Sequence, residues 1–206
     1  MNGHPGWPAT VTDGLVTLRP YRRGDARTWS EIRVANREWL QPWEPYPNQS
    51  WHEANAPAVF RALLRDMRRD ARRGHSMPWA VCFQDRLVGS LTIGNIVRRA
   101  FCSGYAGYWV DGRIAGRGVM PTALALAVDH AFAAGQLHRI EVNIRPENEA
   151  SRRVVQKLGF REEAYHRRYL HIGGEWCDHI GYALTVEDLV DDGTLLARWH
   201  RVRRTV

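Results

Sequence analysis

The chain is poor in lysine: Lys157 is the only one, so nearly all of its 29 basic residues are arginines. It is also poor in cysteine. Cys82, Cys102 and Cys177 are odd in number, scattered and without a C-x-x-C pair. That argues against a disulfide framework or a thiolate metal site, and predicts reduced cysteines used mostly in packing. No apolar run approaches the roughly 20 residues that a membrane span requires. The first residues, Met1-Asn2-Gly3-His4-Pro5-Gly6, lack the basic and apolar layout of a signal peptide. A cytoplasmic location is the expectation. Missing too are an H-E-x-x-H pattern, a carboxylate cluster and any convincing Cys–His or Ser–His arrangement, and no metal is expected.

What is present is enough chain, 206 residues, for one domain with a substantial core. The net charge is +7. An arginine-favouring codon bias accounts for it, and so does attraction to phosphate, of a cofactor or of RNA. One basic cluster, 65–73, falls at the C-terminal end of an expected helix, where cations suit the dipole. The other is the tail from Arg198 to Arg204, a solvated end or an RNA contact.

Residues 1–12 have little periodicity and read as a loose segment, leaving 13–206 as a single domain. A strand is expected from Leu15 to Tyr21 by its alternation, then a helix capped by Asp25 and running to about Arg37. A Trp/Pro-rich turn covers 39–47. Ser50 and Glu53 form a capping box that opens a helix ending at Gly74. Strands are expected over 79–84, 87–96 and 103–110, the first two as a hairpin. A helix over 122–134, a strand over 138–145, a helix over 148–158, strands near 160–171 and 175–184, and a final helix over 188–199 complete the chain.

The most informative stretch is Arg113-Ile114-Ala115-Gly116-Arg117-Gly118, placed between the strand ending Gly107-Tyr108-Trp109-Val110 and the helix after Val119-Met120-Pro121. A glycine-rich loop feeding a helix start lets backbone N–H groups meet a phosphate. Its R-x-x-G-x-G spacing fits neither the dinucleotide fingerprint nor the P-loop. A second block follows, Pro146-Glu147-Asn148, then Ser151, Lys157 and Gly159-Phe160. Together, in this order, the two blocks resemble the GNAT acetyltransferases. The stretch from Gly107 to Phe160, with Tyr169-Leu170-His171-Ile172-Gly173-Gly174-Glu175-Trp176, is similar in particular to the RimJ/RimL branch, the ribosomal-protein N-terminal acetyltransferases. The resemblance implies the GNAT fold, an α/β arrangement with a mixed, mostly antiparallel twisted sheet and helices on both faces.

It also implies acetyl-CoA as co-substrate and direct attack of an amine on the thioester. Gly116, Arg117, Gly118 and Val119 would offer N–H groups to the pyrophosphate, with the Arg113 and Arg117 side chains as partners. Main-chain groups of Trp109 and Val110 would hold the pantetheine arm, and Asn148 would bond it from the other side. Read from its position alone, Asn148 is a helix cap, and the two roles are compatible. Ser151 would protonate the leaving thiolate, because the tyrosine that many relatives place four residues later is Val155 here. Its plain alternative is a helix serine bonded to its own turn; Tyr165 and Tyr169 are fallbacks. The glutamate proposed as base in RimL-like proteins falls on Leu170. Glu38, in the segment that lines the acceptor groove in the family, Glu141 and Glu44 remain as candidates. Trp39 and Trp43 either wall the acceptor groove or simply pack the turn.

The expected acceptor is the α-amine of a protein N-terminus, with a ribosomal protein among the candidates. An α-amine has a reference pKa near 8 against lysine's near 10.4, so it suits a site with a weak base. A small amine or antibiotic is the alternative within the family. A ribosome- or RNA-associated factor with vestigial catalysis, or an acyl-CoA sensor, is the alternative outside it.

Overall fold

The computed structural model describes residues 5–45 and 49–204. Among these, eight strands form one sheet in the order β1-β2-β3-β4-β5-β6-β8-β7. They are β1 (Val11–Asp13), β2 (Val16–Pro20), β3 (Met77–Phe83), β4 (Arg86–Val97), β5 (Ser103–Val110), β6 (Arg139–Ile144), β7 (Arg161–Ile172) and β8 (Glu175–Thr185). Every neighbouring pair is antiparallel except β5 and β6, which run parallel. Alternation explains the layering. Trp79 and Val81 of β3 belong to one apolar cluster and Ala80 between them to another, as period two requires.

The helices divide accordingly. Helices α1 (Ala26–Ala35) and α4 (Pro57–Arg72) cover one face with Trp29, Ile32, Phe60 and Leu64. Helix α5 (Val119–Ala133), with α6 (Glu149–Lys157) and α7 (Leu195–Arg204), covers the other. Short α2 (Arg37–Leu40) and α3 (Trp51–Ala54) bridge α1 and α4. The expected fold class, a mixed and mostly antiparallel sheet with helices on both faces, is what is observed.

Several local expectations need correction. Residues 5–12 are not loose: Trp7 packs edge-on against Trp79 at 5.1 Å, the Trp79 indole donates to the Ala9 carbonyl, and Val11 begins β1. Residues 1–4 lie outside the described ones. Asp25 precedes α1 but does not cap it; its carboxylate is taken by the Arg19 guanidinium and the Arg22 N–H. The capping box of Ser50 and Glu53 forms, yet its helix stops at Asn55 and α4 starts afresh. Pro57 is the cause: it forces Ala56 into an extended conformation and then serves as the first residue of a new helix. The last helix starts later than expected, at Leu195, where the half-buried Asp129 carboxylate accepts from the N–H groups of Leu195 and Leu196.

Strands β3 and β4 meet in a tight turn whose central residues, Gln84 and Asp85, are both left-handed, as a two-residue hairpin of this hand demands. The feature that positions the site lies further along. The parallel pairing of β5 with β6 consists of Ser103↔Arg139, Gly104↔Ile140 and Tyr105↔Glu141, and no further. Past Tyr105, β5 is paired with β4 alone and the two parallel strands diverge.

Candidate active site

The divergence opens a cavity of about 400 Å³. Its walls are the end of β5, the loop after it, the first turn of α6, and the segment carrying Trp39, Trp43 and Glu44. The Asp111 N–H donates to the Val88 carbonyl of β4. By the alternation of an antiparallel ladder, Trp109 also turns its backbone groups to β4, and Tyr108 and Val110 turn theirs to the opening. Of the two residues expected to offer main-chain groups, Val110 turns them to the cavity and Trp109 turns them to β4, and Tyr108 turns its own to the cavity as well. The Val110 carbonyl is already occupied by the Trp39 indole N–H at 3.0 Å, leaving the Val110 N–H facing the gap.

The loop that follows is tied down from beneath. Asp111 is buried and accepts from the Arg113 N–H at 3.0 Å, the Arg113 guanidinium at 2.9 Å and the Asn36 amide at 3.1 Å. Burial would raise its pKa, but those donors outweigh burial and hold the carboxyl below its usual range. Asn36 also accepts from the Gly112 N–H at 2.8 Å, so one side chain of α1's end braces two points of the loop. Gly116 and Gly118 are left-handed, at φ 83° and 77°, which turns the loop into the start of α5. The N–H groups of Val119 and Met120 then have no carbonyl within their own helix to bond. Of the two arginines expected to face phosphate, Arg113 is committed to Asp111, and Arg117 is exposed on the loop.

On the opposite wall, Asn148 caps α6: its side-chain oxygen accepts from the Ser151 N–H at 3.1 Å. Ser151 is not spent on its own turn. Its hydroxyl donates to the Tyr108 hydroxyl at 2.9 Å, and Tyr108 leans toward the Ser151 carbonyl at 3.4 Å. Burial pushes the Tyr108 hydroxyl well above the usual tyrosine pKa, with the Ser151 contact only partly opposing it. Tyr108 therefore stays protonated and neutral at any ordinary pH. Sequence reasoning missed it. The signal was there: a polar ring at an inward position of β5, on the face that α6 covers.

The carboxylates fall less tidily. Glu38 is exposed on α2 and is not among the residues lining this cavity. Glu141, on β6, is bound by the Arg139 guanidinium at 2.8 Å and does not line it either. The structure thus withholds both from the cavity, one by pointing to solvent and one by an ion pair; Glu44 is the acid in its wall. Tyr165 bonds to Asp178, Tyr169 stacks on His166, and Leu170 is exposed. Trp39 and Trp43 do wall the cavity, with the Arg145 guanidinium over the Trp43 ring at 5.7 Å. Tyr46 and Pro47 of the same turn lie outside the described residues. Among the described residues no group of three or more His, Cys, Asp or Glu could hold a metal ion, and no helix is long and apolar enough to cross a membrane.

A glycine-braced loop opening a helix, beside a parallel strand pair that parts, defines the class, and comparison agrees. The model of the acetyltransferase (GNAT) domain matches residues 16–161, and the chain belongs to the GNAT acetyltransferase family. Its relatives narrow the branch. It is 32% identical to the ribosomal protein uS5 alanine N-acetyltransferase of Escherichia coli, over 86% of this chain and 91% of that one. Mycobacterium smegmatis RimJ, solved in complex with CoA-disulfide, superposes with a TM-score of 0.94 at 41% identity, covering 98% of both chains. The ribosomal-protein-S5-alanine acetyltransferase of Vibrio fischeri follows at 28% identity and TM-score 0.79, over 87% and 98%. The resemblance read from the two sequence blocks is borne out.

Proposed function

We propose that this chain transfers acetyl from acetyl-CoA to the α-amine of a protein N-terminus, with a ribosomal protein as acceptor. The observation that carries the reading is the cavity where β5 and β6 part, with the Ser151–Tyr108 hydroxyl pair on one wall and the left-handed Gly116 and Gly118 at its mouth. The names of the relatives, which acetylate the alanine terminus of a ribosomal protein, support the choice of acceptor. A cytoplasmic setting accompanies that acceptor.

The residues present fit the donor. The loop amides and those of Val119 and Met120 suit a pyrophosphate, and the backbone groups of Tyr108 with the Val110 N–H suit an amide-bearing arm. Asn148 would bond that arm from α6, through whatever capacity its capping bond leaves. When bound, acetyl-CoA supplies an activated acetyl thioester. The chain's own groups then have limited work. The Val110 N–H faces the gap, where it can donate to the carbonyl oxygen on which negative charge develops. The amine nitrogen forms its bond to the carbonyl carbon as the carbon–sulfur bond breaks. Ser151 gives its proton to the departing sulfur and recovers one from water, while Tyr108, which keeps its own proton, holds the serine hydroxyl in place. The proton shed by the amine leaves through water. An α-amine, with a pKa near 8, needs no stronger base than that. Glu38 and Glu141 keep a role only at a distance, through such water.

The test is mass-spectrometric. Peptides with varied first residues, free or blocked at the N-terminus and some containing lysine, are incubated with protein and acetyl-CoA. Acetylation confined to free α-amines is expected. Acetylation of small amines or lysine side chains instead would replace this acceptor reading.

A further inference from the structure

The one buried arginine of α1, Arg33, is unusual. Its guanidinium lies over three tryptophan rings, Trp29 at 5.0 Å, Trp51 at 5.2 Å and Trp109 at 5.4 Å, and it donates to the Asn55 side chain. Burying a guanidinium is costly unless it is fully partnered, and here aromatic faces and one amide supply much of that partnership. The remaining partner is Glu44, through one carboxylate oxygen, Oε2. The same glutamate is held at its backbone, where its carbonyl accepts from the Gly173 N–H of the β7–β8 turn at 3.1 Å. Glu44 is therefore fixed from two sides although it belongs to no helix or strand.

That position matters because Glu44 lines the active-site cavity and also an adjoining one of about 320 Å³, which the two share together with Pro45, Ser90 and Trp109. Its other oxygen, Oε1, makes no hydrogen bond to the described residues, and the side chain is 28% exposed. A carboxylate with one oxygen clamped and one spare, at the junction of two cavities, is built to receive a cation. The cation that must enter this cavity is the acceptor's own amino group, which is protonated when it arrives in neutral water.

We propose that Glu44, held by the tryptophan-caged Arg33, is the seat of the acceptor's α-ammonium group. The inference rests on the acceptor reading above and deepens it: Glu44 places the amine before it loses its proton, and selects against termini that are already acylated. Arg33 is a positioning residue, acting through Glu44. The pair is worth its burial because a free glutamate on a loop would hold no fixed geometry.

Calorimetry tests this without relying on turnover. Protein loaded with CoA is titrated with a short peptide beginning with alanine, and with the same peptide N-acetylated. Wild type is expected to bind the free terminus more tightly. Glu44→Gln, which can still accept from Arg33 but carries no charge, is expected to lose about tenfold of that preference. Arg33→Lys should lose part of it. The acetyl-CoA affinity of Glu44→Gln should stay near wild type, while its melting temperature falls because the buried Arg33 loses its counter-charge. An unchanged preference in Glu44→Gln, or a wild type that binds both peptides equally or neither, overturns the proposal. A wild type that prefers the free terminus yet acetylates no peptide leaves this inference standing and removes the proposed function instead.

Discussion

Two hydroxyls in contact, Ser151 and Tyr108, carry most of the site's chemistry. They act as a unit, so their removal should not be additive. Ser151→Ala and Tyr108→Phe are each expected to lower kcat by roughly 10- to 100-fold, at or below the low end of general-acid contributions. The double variant should lose little more, and acetyl-CoA affinity should hold in all three; steady-state kinetics with calorimetry checks this. A kcat at the wild-type level in Ser151→Ala would reduce the serine to a helix residue. Gly118 sits at φ 77°, and a Cβ there would lie 3.4 Å from Trp199 Cζ2. Gly118→Val should therefore cost about 1–3 kcal/mol in backbone strain. It should also weaken acetyl-CoA binding, which titration would show.

At the level of elements, α7 is structure before it is a basic tail. Leu195 and Trp199 are buried, and the Trp199 indole donates to Thr122 Oγ1 of α5 at 2.8 Å. Arg198 is spent on Asp192 and on the carbonyls of Leu158 and Asp188. Trp199→Ala is expected to cost about 3–5 kcal/mol in chemical denaturation. It should loosen the start of α5 as well, so donor affinity should fall in parallel.

Legibility followed local signals. The strand alternations, the loop after β5 and the α6 cap were readable because each is written within a few neighbouring residues. Asp25 and Glu141 were not, because Arg19 and Arg139 decide their use, and the sequence does not say which partner a carboxylate finds. Glu44 was readable only as one acid among three. What singles it out is Arg33, eleven positions earlier in sequence and set in place by Trp109 of the sheet. Burial of Trp7 likewise depends on β3, some seventy residues away, which no short window contains.

For the molecule as a whole, pH should act in two stages. His179 is buried, and burial outweighs the bond from its ring to the Cys177 carbonyl, lowering its pKa. The folded state resists the proton that the unfolded chain accepts near pH 6.5. Its contribution is whole above that value and is lost as pH falls through the lower folded pKa. Asp25 and Asp111 are also lowered, their hydrogen-bond donors outweighing burial, so their stability is present above about pH 4 and disappears below it. Melting temperature should fall in a shallow step below pH 6.5 and a steeper one below 4. His179→Gln should flatten the first step alone.

The short seam between β5 and β6 has one more effect. Three residue pairs join the slab β1–β5 to the slab β6–β8, so lateral cohesion of the sheet is weakest where the cavity lies. The amide hydrogens of Tyr108 and Val110, which face the gap, have no carbonyl across it among the described residues to shield them, and they should exchange with solvent earlier than those facing β4. A guest laid along that edge would act as mortar between two bricks, slowing exchange on both. The protein would then be at its stiffest while loaded and at its loosest between turnovers.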